Sequence, residues 1–473
     1  MPADKIIAEQ TVEHTIKERN SDEPFVDAAY AKALHFLAER TKFGINLGLQ
    51  RIEKLLALLG NPHRQGAPKY IHVGGTNGKG SVSIMLAEIL QACGYKTGLF
   101  TSPHLHSYRE RFRLNGQPLS KAELVHQLAI IQPFLDQMAA AGEEAPTEFE
   151  ISTALALHYF TEQQADWAVI EVGMGGEIDS TNVIQPELAV ITNVAMDHMA
   201  YLGETVAEIA AVKAGIIKPG VPTLTAAQNQ AALAVLQKRA AVKDTSLEQL
   251  GRDFAYLPRK VAESGQIFDW QKLAVNNSDE NNLVYADLSI QLLGEHQLAN
   301  ASLAVAAAAK LDLPEAAVRQ GLAAARWPGR LEIVNRQPLT VLDGAHNVAG
   351  MQALSGALQQ YWPGRPIVAV LGMLADKERA EALRLLLPLV SRAVITKVPS
   401  PRAGDWQALA EICQEFAVPC QLVESVPQAV AAARQILQSD ELNGEEPLFL
   451  VTGSLYMLAE ARAYLLGIEQ ENY

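Results

Sequence analysis

Lys69-Tyr70-Ile71-His72-Val73-Gly74-Gly75-Thr76-Asn77-Gly78-Lys79-Gly80-Ser81 decides the reading of this chain. Lys69–Val73 is a short apolar run that predicts a strand, Gly74-Gly75 opens a turn, and Ser81–Ala92 has the pattern of a helix. Strand, glycine turn and helix outline a phosphate-binding unit. A triphosphate takes backbone N–H groups that converge on one concavity, which glycine permits by tolerating φ > 0 and close approach. It takes a cation for the β and γ oxygens, here Lys79, a helix N-terminus aimed at the anion, and a hydroxyl, here Ser81. Gly80, between Lys79 and Ser81, sets the segment apart from the generic GxxxxGK followed directly by Ser or Thr. The alternative is a glycine-rich turn with an exposed lysine; the strand before and the helix after favour the phosphate site.

Working outward, Thr97–Thr101, Trp167–Val172 and Leu188–Thr192 read as strands. Ala122–Ala140, Ile151–Gln163 and Thr205–Ala214 read as helices between them. This alternation predicts an α/β fold, a P-loop-type doubly wound sheet with helices on both faces. Upstream, apolar residues recur at helical spacing over Asp27–Leu37 and Leu47–Leu59. Residues 1–25 carry no strong pattern and are expected to form a mobile N-terminal arm, with a turn or two of helix over Thr11–Arg19. Downstream, residues 243–293 become short, alternating and polar, a β-rich segment in which Asn276, Asn277, Asn281 and Asn282 mark a loop or hairpin. Gln297–Leu311 is an alanine-rich helix, and Trp327-Pro328-Gly329-Arg330 is a turn at the expected boundary. Residues 26–328 then form a first domain, and residues 331–473 a second, smaller Rossmann-like α/β domain. Its strands are expected at Leu339–Leu342, Ile367–Leu371, Arg392–Thr396 and Pro447–Val451.

At 473 residues the chain is too long for one ordinary core, and at 49% apolar it is not mainly disordered. No 18-residue apolar run is free of charge, and the polar first residues lack the apolar core of a signal peptide. Cys93, Cys413 and Cys420 make neither a disulfide framework nor a CxxC pair. A cytoplasmic protein with no membrane partner is expected. Lys and Arg number 39 against 53 Asp and Glu, a formal charge of −14 that argues against a nucleic-acid partner. Small anions are not excluded, because a local site can be positive on an acidic protein.

The segment Gly75–Ser81 resembles the ATP loop of the folylpolyglutamate synthase and dihydrofolate synthase family, within the Mur ligase superfamily. Further segments look like family motifs and stand in the family's order. They are Thr101-Ser102-Pro103-His104-Leu105, Thr147-Glu148-Phe149-Glu150, Glu171-Val172-Gly173-Met174-Gly175-Gly176, Asp197-His198 and Lys213–Lys218. Gly294-Glu295-His296-Gln297, Pro328-Gly329-Arg330, Asp343-Gly344-Ala345-His346-Asn347 and Val451-Thr452-Gly453-Ser454-Leu455 complete the series, which covers nearly the whole chain from about residue 40. Glu177 departs from it, standing where the family commonly has arginine after the glycine pair.

The resemblance implies roles for individual residues. ATP would be held by Thr76, Asn77, Gly78, Lys79, Gly80, Ser81, Asn300, Arg330 and Asp343, with Lys79, Lys213 and His346 catalytic. Ser102, Glu171 and His198 match the family's Mg2+ ligands, and Lys213 matches a lysine that becomes a carbamate and helps to hold a second Mg2+. A carbamate forms only on an amine that is partly neutral, so the site must perturb Lys213; the ordinary reading is a solvated lysine. Helix capping is the ordinary reading of Asn300, and an interdomain salt bridge that of Arg330. Asp343 would hold either the ribose or the Arg330 side chain. The pterin substrate would lie against Gly44, Ile45, Asn46 and Leu47, against Thr147, Glu148, Phe149 and Glu150, and against Ile178, Asp179 and Ser180. Phe149 offers a flat face to an aromatic ring, or is plain core. Lys397 and Arg402 are candidates for the incoming glutamate.

The activity so implied is an ATP-dependent ligase that makes an acyl phosphate and then an amide with L-glutamate. Its partners would be small molecules, and the resemblance suggests a monomer. A bifunctional dihydrofolate synthase/folylpolyglutamate synthase is expected. The alternatives are folylpolyglutamate synthase alone, a Mur-type amino-acid ligase, or a non-enzymatic nucleotide switch. The early ATP loop and the Asp343–Asn347 turn, respectively, argue against the last two.

Overall fold

The computed structural model describes residues 23–41, 48–64, 66–273, 283–438 and 446–471. The helix Glu23–Arg40 begins inside the segment expected to be an arm, so residues 23–25 belong to it. Residues 1–22, the Gly44–Leu47 segment and Asn276, Asn277, Asn281 and Asn282 lie outside the described residues.

The first sheet takes eight strands: β1 (Lys69–Gly74), β2 (Thr97–Phe100), β3 (Phe112–Leu114), β4 (Gln117–Pro118), β5 (Trp167–Glu171), β6 (Leu188–Ile191), β7 (Thr223–Thr225) and β8 (Leu247–Gln249). Their spatial order is β4-β3-β2-β5-β1-β6-β7-β8. From β2 through β8 all neighbours are parallel; β3 and β4 add an antiparallel edge. Five of six residues in β1, and all of β5 and β6, are buried. That is why these strands read as continuous apolar runs: helices cover both faces, so no side chain alternates to solvent. The helix Lys79–Ala92 packs on one face, in a core with Ile71, Val73, Val169 and Val190. Glu148–Glu162 packs on the other, with Phe100, Ala168 and Ile170.

The polar segment 243–293 resolves into β8 and a three-stranded antiparallel sheet of β9 (Phe254–Ala262), β10 (Gly265–Lys272) and β11 (Val284–Ile290). Alternate residues Phe268 and Trp270 point inward, which gives its strands their period of two. A third sheet has the order β12-β13-β17-β14-β15-β16, from β12 (Glu332–Arg336), β13 (Leu339–Asp343), β14 (Ile367–Leu371), β15 (Val390–Ile395), β16 (Cys420–Leu422) and β17 (Leu448–Thr452). All its neighbours are parallel except β12 with β13.

In open parallel sheets, ligands sit beyond the carboxyl ends of the strands, at the point where strand order reverses. In the first sheet that point is β1, flanked by β5 and β6. Polar bonds bring the carboxyl ends of the two large sheets face to face across Trp327–Arg330. Asn347 bonds Asn77 and Asp197, and Lys377 bonds Asp197. Other bonds join the same two halves at the rim. Arg462 reaches His106, Glu263 accepts from Arg336 and from the Trp362 indole, and Glu471 accepts from Tyr30. No helix among the described residues is long and apolar enough to cross a membrane.

Candidate active site

The turn after β1 is shaped by close backbone contacts. Gly75 has φ +131°, and a Cβ there would lie 2.0 Å from Thr192 Oγ1; Gly78 has φ +87°, and a Cβ there would lie 2.4 Å from Asn300 Oδ1. Neither position admits another residue without displacing its neighbour. Gly78 caps the helix Lys79–Ala92 with no side-chain bond, so the first helical N–H groups are left for a ligand. Lys79 Nζ folds back to donate to the carbonyls of Gly75 and Thr76 at 3.3 and 3.2 Å. The Thr76 hydroxyl bonds both ways with Ala195, and Asn193 Oδ1 accepts from the Asn77 N–H. Ser81 Oγ is buried with no hydrogen-bond partner among the described residues. Asn300 is interior to the helix Glu295–Lys310, whose cap is Gly294, so capping does not explain it; its Oδ1 backs the loop at Gly78.

Glu171 ends β5, buried, and accepts from the Ser102 N–H at 3.2 Å. Burial pushes its carboxyl up to about 7, against the pull of Lys79 and Arg330. It lines a cavity with Ser102, His104, Gly80, Trp327 and Arg330. The carboxylate of Glu171 and the hydroxyls of Ser102 and Ser81 are hard oxygen donors, and Mg2+ prefers such donors while keeping several waters. Glu171 and Ser102, which line the same cavity, suit Mg2+ by donor type, although among the described residues no three His, Cys, Asp or Glu side chains cluster as metal ligands. His198 stands in the left-handed region at φ 52°, caps the short helix Met199–Leu202 without a side-chain bond, and turns Nε2 toward Asp197 Oδ2 at 3.9 Å. Burial lowers it to about 4, so it is a neutral imidazole at pH 7. A raised carboxyl stabilises the fold below its unfolded value near 4.5, and that stability is lost as pH rises to about 7. In chelator, Glu171→Gln should remove from the stability between pH 5 and pH 7.5 a falling contribution worth about 3 kcal/mol, read as the difference between the two proteins because the lowered His198 and His346 slope the other way. An unchanged slope would show that Glu171 ionises freely.

Lys213 ends the helix Val206–Lys213, is buried, and donates to the Gly75 carbonyl at 2.9 Å. Burial, and then Lys79, lower its amine to about 7. This is no solvated lysine: about half of it is neutral at pH 7. Lys218 is also lowered by burial, to about 8, and donates to the carbonyls of Asn182 and Ile184.

The third sheet supplies the facing wall. Asp343 ends β13 and is buried; its oxygens accept from the N–H groups of Leu331 and Ala345, both at 2.8 Å. It thus fixes the residue that follows Arg330 as well as facing its charge. Arg330 lies between Asp343 and Glu171, Nη1 donating to Gly329 O, and burial lowers its pKa. His346 bonds Gly344 O through Nδ1, which must then carry the proton, and turns Nε2 toward Asp197 Oδ2 at 3.8 Å. Burial lowers it to about 4. Burial works against the charge of Asp197, but His198, Lys377 and His346 hold its carboxyl well below the usual range.

Of the residues expected against the pterin, Thr147, Glu148, Glu150 and Asp179 are already committed to partners. Thr147 caps Glu148–Glu162 in a capping box with Glu150. Glu150 pairs with Arg51 at 3.1 Å, and Glu148 with Arg111 at 3.0 Å and the Ser152 hydroxyl. Phe149 stacks on Phe100 and leaves Gly173 no room for a Cβ. Asp179 accepts from Met174 and Thr181 N–H groups and caps the turn Ser180–Val183, with Ile178 half-buried before it. Glu177 is exposed and paired with Arg239 at 3.2 Å, so its negative charge is matched locally. Lys397 and Arg402 are exposed and paired with Glu424 and Asp376.

Two residues at the cleft were not singled out from sequence. Trp327 was read only as a turn residue, yet its indole lies against Gly80 under the phosphate loop. Lys377 follows β14 by six residues, at the same sheet end as Asp343, and its side chain is buried against Asp197. Position beyond a carboxyl strand end was the available signal for Lys377.

Residues 73–308 match the family described as Mur ligase middle domain, and residues 329–455 that of Mur ligase, glutamate ligase domain. The folylpolyglutamate synthase of Lacticaseibacillus casei is 38% identical over 88% of this chain and 94% of its own length. The dihydrofolate synthase/folylpolyglutamate synthase of Bacillus subtilis (strain 168) is 34% identical over 92% of this chain and 99% of its own. The Mycobacterium tuberculosis folylpolyglutamate synthase solved in complex with ADP superposes with a TM-score of 0.85, at 36% identity, over 93% of this chain and 99% of that one. With likeness running through both sheets and the cleft between them, the chain belongs to the folylpolyglutamate synthase/dihydrofolate synthase family of Mur ligases.

Proposed function

We propose that the chain is an ATP-dependent ligase that joins L-glutamate in amide linkage to dihydropteroate and to reduced folates. The observation that carries this reading is the cleft itself. A phosphate loop after β1 faces the Asp343–Asn347 turn, with Glu171 and a half-neutral Lys213 buried at its floor. Residues 26–328 and 331–473 act as two bodies that close about Trp327–Arg330. Both activities are assigned because the Bacillus subtilis relative carries both in its name. The enzyme works as a cytoplasmic monomer on small molecules.

ATP lies with its phosphates on the N–H groups of Thr76–Ser81, and Lys79 exchanges its two carbonyl partners for phosphate oxygens. Asn300 braces the loop from behind, and Arg330 neutralises charge from the second body. Ser102, Glu171 and His198 would hold Mg2+, and Lys213, as a carbamate, would help to hold a second. Bound there, Mg2+ would neutralise the negative charge on the transferring phosphoryl group. The substrate carboxylate attacks the γ-phosphorus in line and releases ADP, giving an acyl phosphate. The amine of glutamate attacks the acyl carbon and expels phosphate. His346, neutral and fixed through Nδ1, presents a free Nε2 lone pair at the phosphate end. Closure keeps water from the acyl phosphate.

Phosphate release from purified protein with ATP, Mg2+ and L-glutamate tests the assignment, with dihydropteroate and tetrahydrofolate as separate acceptors. Stimulation by both is expected. Stimulation by one alone removes the other activity, and none by either refutes the folate reading.

A further inference from the structure

Asn347 is 2% exposed and stands at the start of the helix Val348–Tyr361, in the second α/β unit. A carboxamide has two N–H donors and two acceptor lone pairs. All four are used here. Its Oδ1 accepts from the Gly350 N–H at 2.8 Å and from Asn77 Nδ2 at 3.2 Å. Its Nδ2 donates to Asn77 Oδ1 at 3.1 Å and to Asp197 Oδ2 at 2.9 Å. The amide has one possible orientation, because a backbone N–H demands an acceptor and a carboxylate demands a donor. Asn77 is the residue of the phosphate loop between Thr76 and Gly78, and Asn193 fixes its N–H. A reciprocal amide pair therefore joins the loop of one unit to a helix cap of the other. Aspartate could cap the helix but not donate to Asn77 or Asp197, and serine could cap but not span the gap.

We propose that Asn347 is a positioning residue that couples the Asn77 side chain of the phosphate loop to docking of the second unit. The Asn77 N–H and carbonyl are held by Asn193 and Thr192 of its own unit, but its carboxamide is held only when the unit carrying Asn347 has closed on it. Binding of nucleotide to the loop and closure of the cleft are then thermodynamically linked, and each favours the other by the same factor. The linkage rests on the ligase reading only for the identity of the nucleotide.

The test compares the full chain with Asn347→Ser and Asn347→Asp, both of which keep the helix cap. Three quantities are read: the thermal midpoint without nucleotide, Mg-ATP affinity by calorimetry, and compaction by small-angle scattering on adding AMPPCP. Affinity should fall about tenfold or more in Asn347→Ser, and further in Asn347→Asp, where two carboxylates would meet. Compaction should be lost in both, with the thermal midpoint of Asn347→Ser, the variant that adds no charge, unchanged. Unaltered affinity in Asn347→Ser would overturn the proposal, as would lost affinity with compaction intact. A thermal midpoint that falls in step with affinity would overturn it too, since that is loss of fold. None of these readouts uses a folate acceptor, so absence of folate-dependent turnover would refute the activity and leave the linkage to stand or fall by itself.

Discussion

Lys79→Met should lower kcat/KM for ATP by about 10³-fold, with the fold retained. The Lys79 side chain is the one cation that bears on Glu171, Lys213 and His198 alike, so its loss acts in three places. The ammonium that meets the phosphates is gone. Glu171 loses its largest charged partner and is driven further toward the neutral acid. Lys213 loses a repelling neighbour, its amine rises, and less of it is neutral at pH 7. Methionine keeps the length and the packing, so the effect is one of charge. Lys79→Arg should rescue little, because a planar guanidinium does not fit the space between the Gly75 and Thr76 carbonyls that a point ammonium occupies. Steady-state kinetics on the three proteins decide it; turnover within about tenfold of the parent would remove Lys79 from the phosphate site.

Lys213→Ala should abolish turnover while the protein still folds. A buried ammonium is costly to keep, so its removal offsets part of the cavity it leaves. The carbamate reading adds a demand that a simple cation does not. The ammonium first gives up a proton; the neutral amine then takes up CO2, forming a nitrogen–carbon bond and releasing a second proton, so that the side chain passes from cation to anion. Activity of the parent protein should fall in CO2-free buffer and return with bicarbonate. It should also rise with pH through about 7, because the amine must shed its proton before it reacts. Near-normal turnover of Lys213→Ala, or indifference to bicarbonate, would leave Lys213 as a strut under Gly75.

Much of this was legible because parallel strands buried on both faces leave long apolar runs. The run Ile367–Leu371 is a strand of the same extent, and Lys69–Val73 differs from its strand by Gly74 alone. Short antiparallel edges leave no such trace: β3 is three residues and β4 two, and neither was anticipated. The site was legible where a residue type answers one demand, as Lys79 does. It was opaque where the same type serves packing. Glu148 and Glu150 look like ligand groups in a motif, but their charges are met by Arg111 and Arg51, from 37 and 99 positions away. Glu177 looked like a reversed charge in a binding pocket until Arg239, remote in sequence, closed the pair. Asn347 showed its role only when Asn77, 270 residues earlier, came within reach.

β17 is the last strand among the described residues and sits inside its sheet, between β13 and β14. Synthesis runs from the other end. The first sheet has all its strands once Gln249 is made, whereas β13 and β14, every residue of which is buried in the finished protein, wait for Leu448–Thr452. Until then a nascent chain carries two bare apolar edges a strand's width apart, which is the kind of surface that pairs with other chains. A premature stop before Leu448 removes the middle of the second unit rather than its end, so its product presents an interrupted sheet to chaperones and proteases. For this topology, loss of the chain from Leu448 onward takes the central strand with it and strikes at the whole second unit.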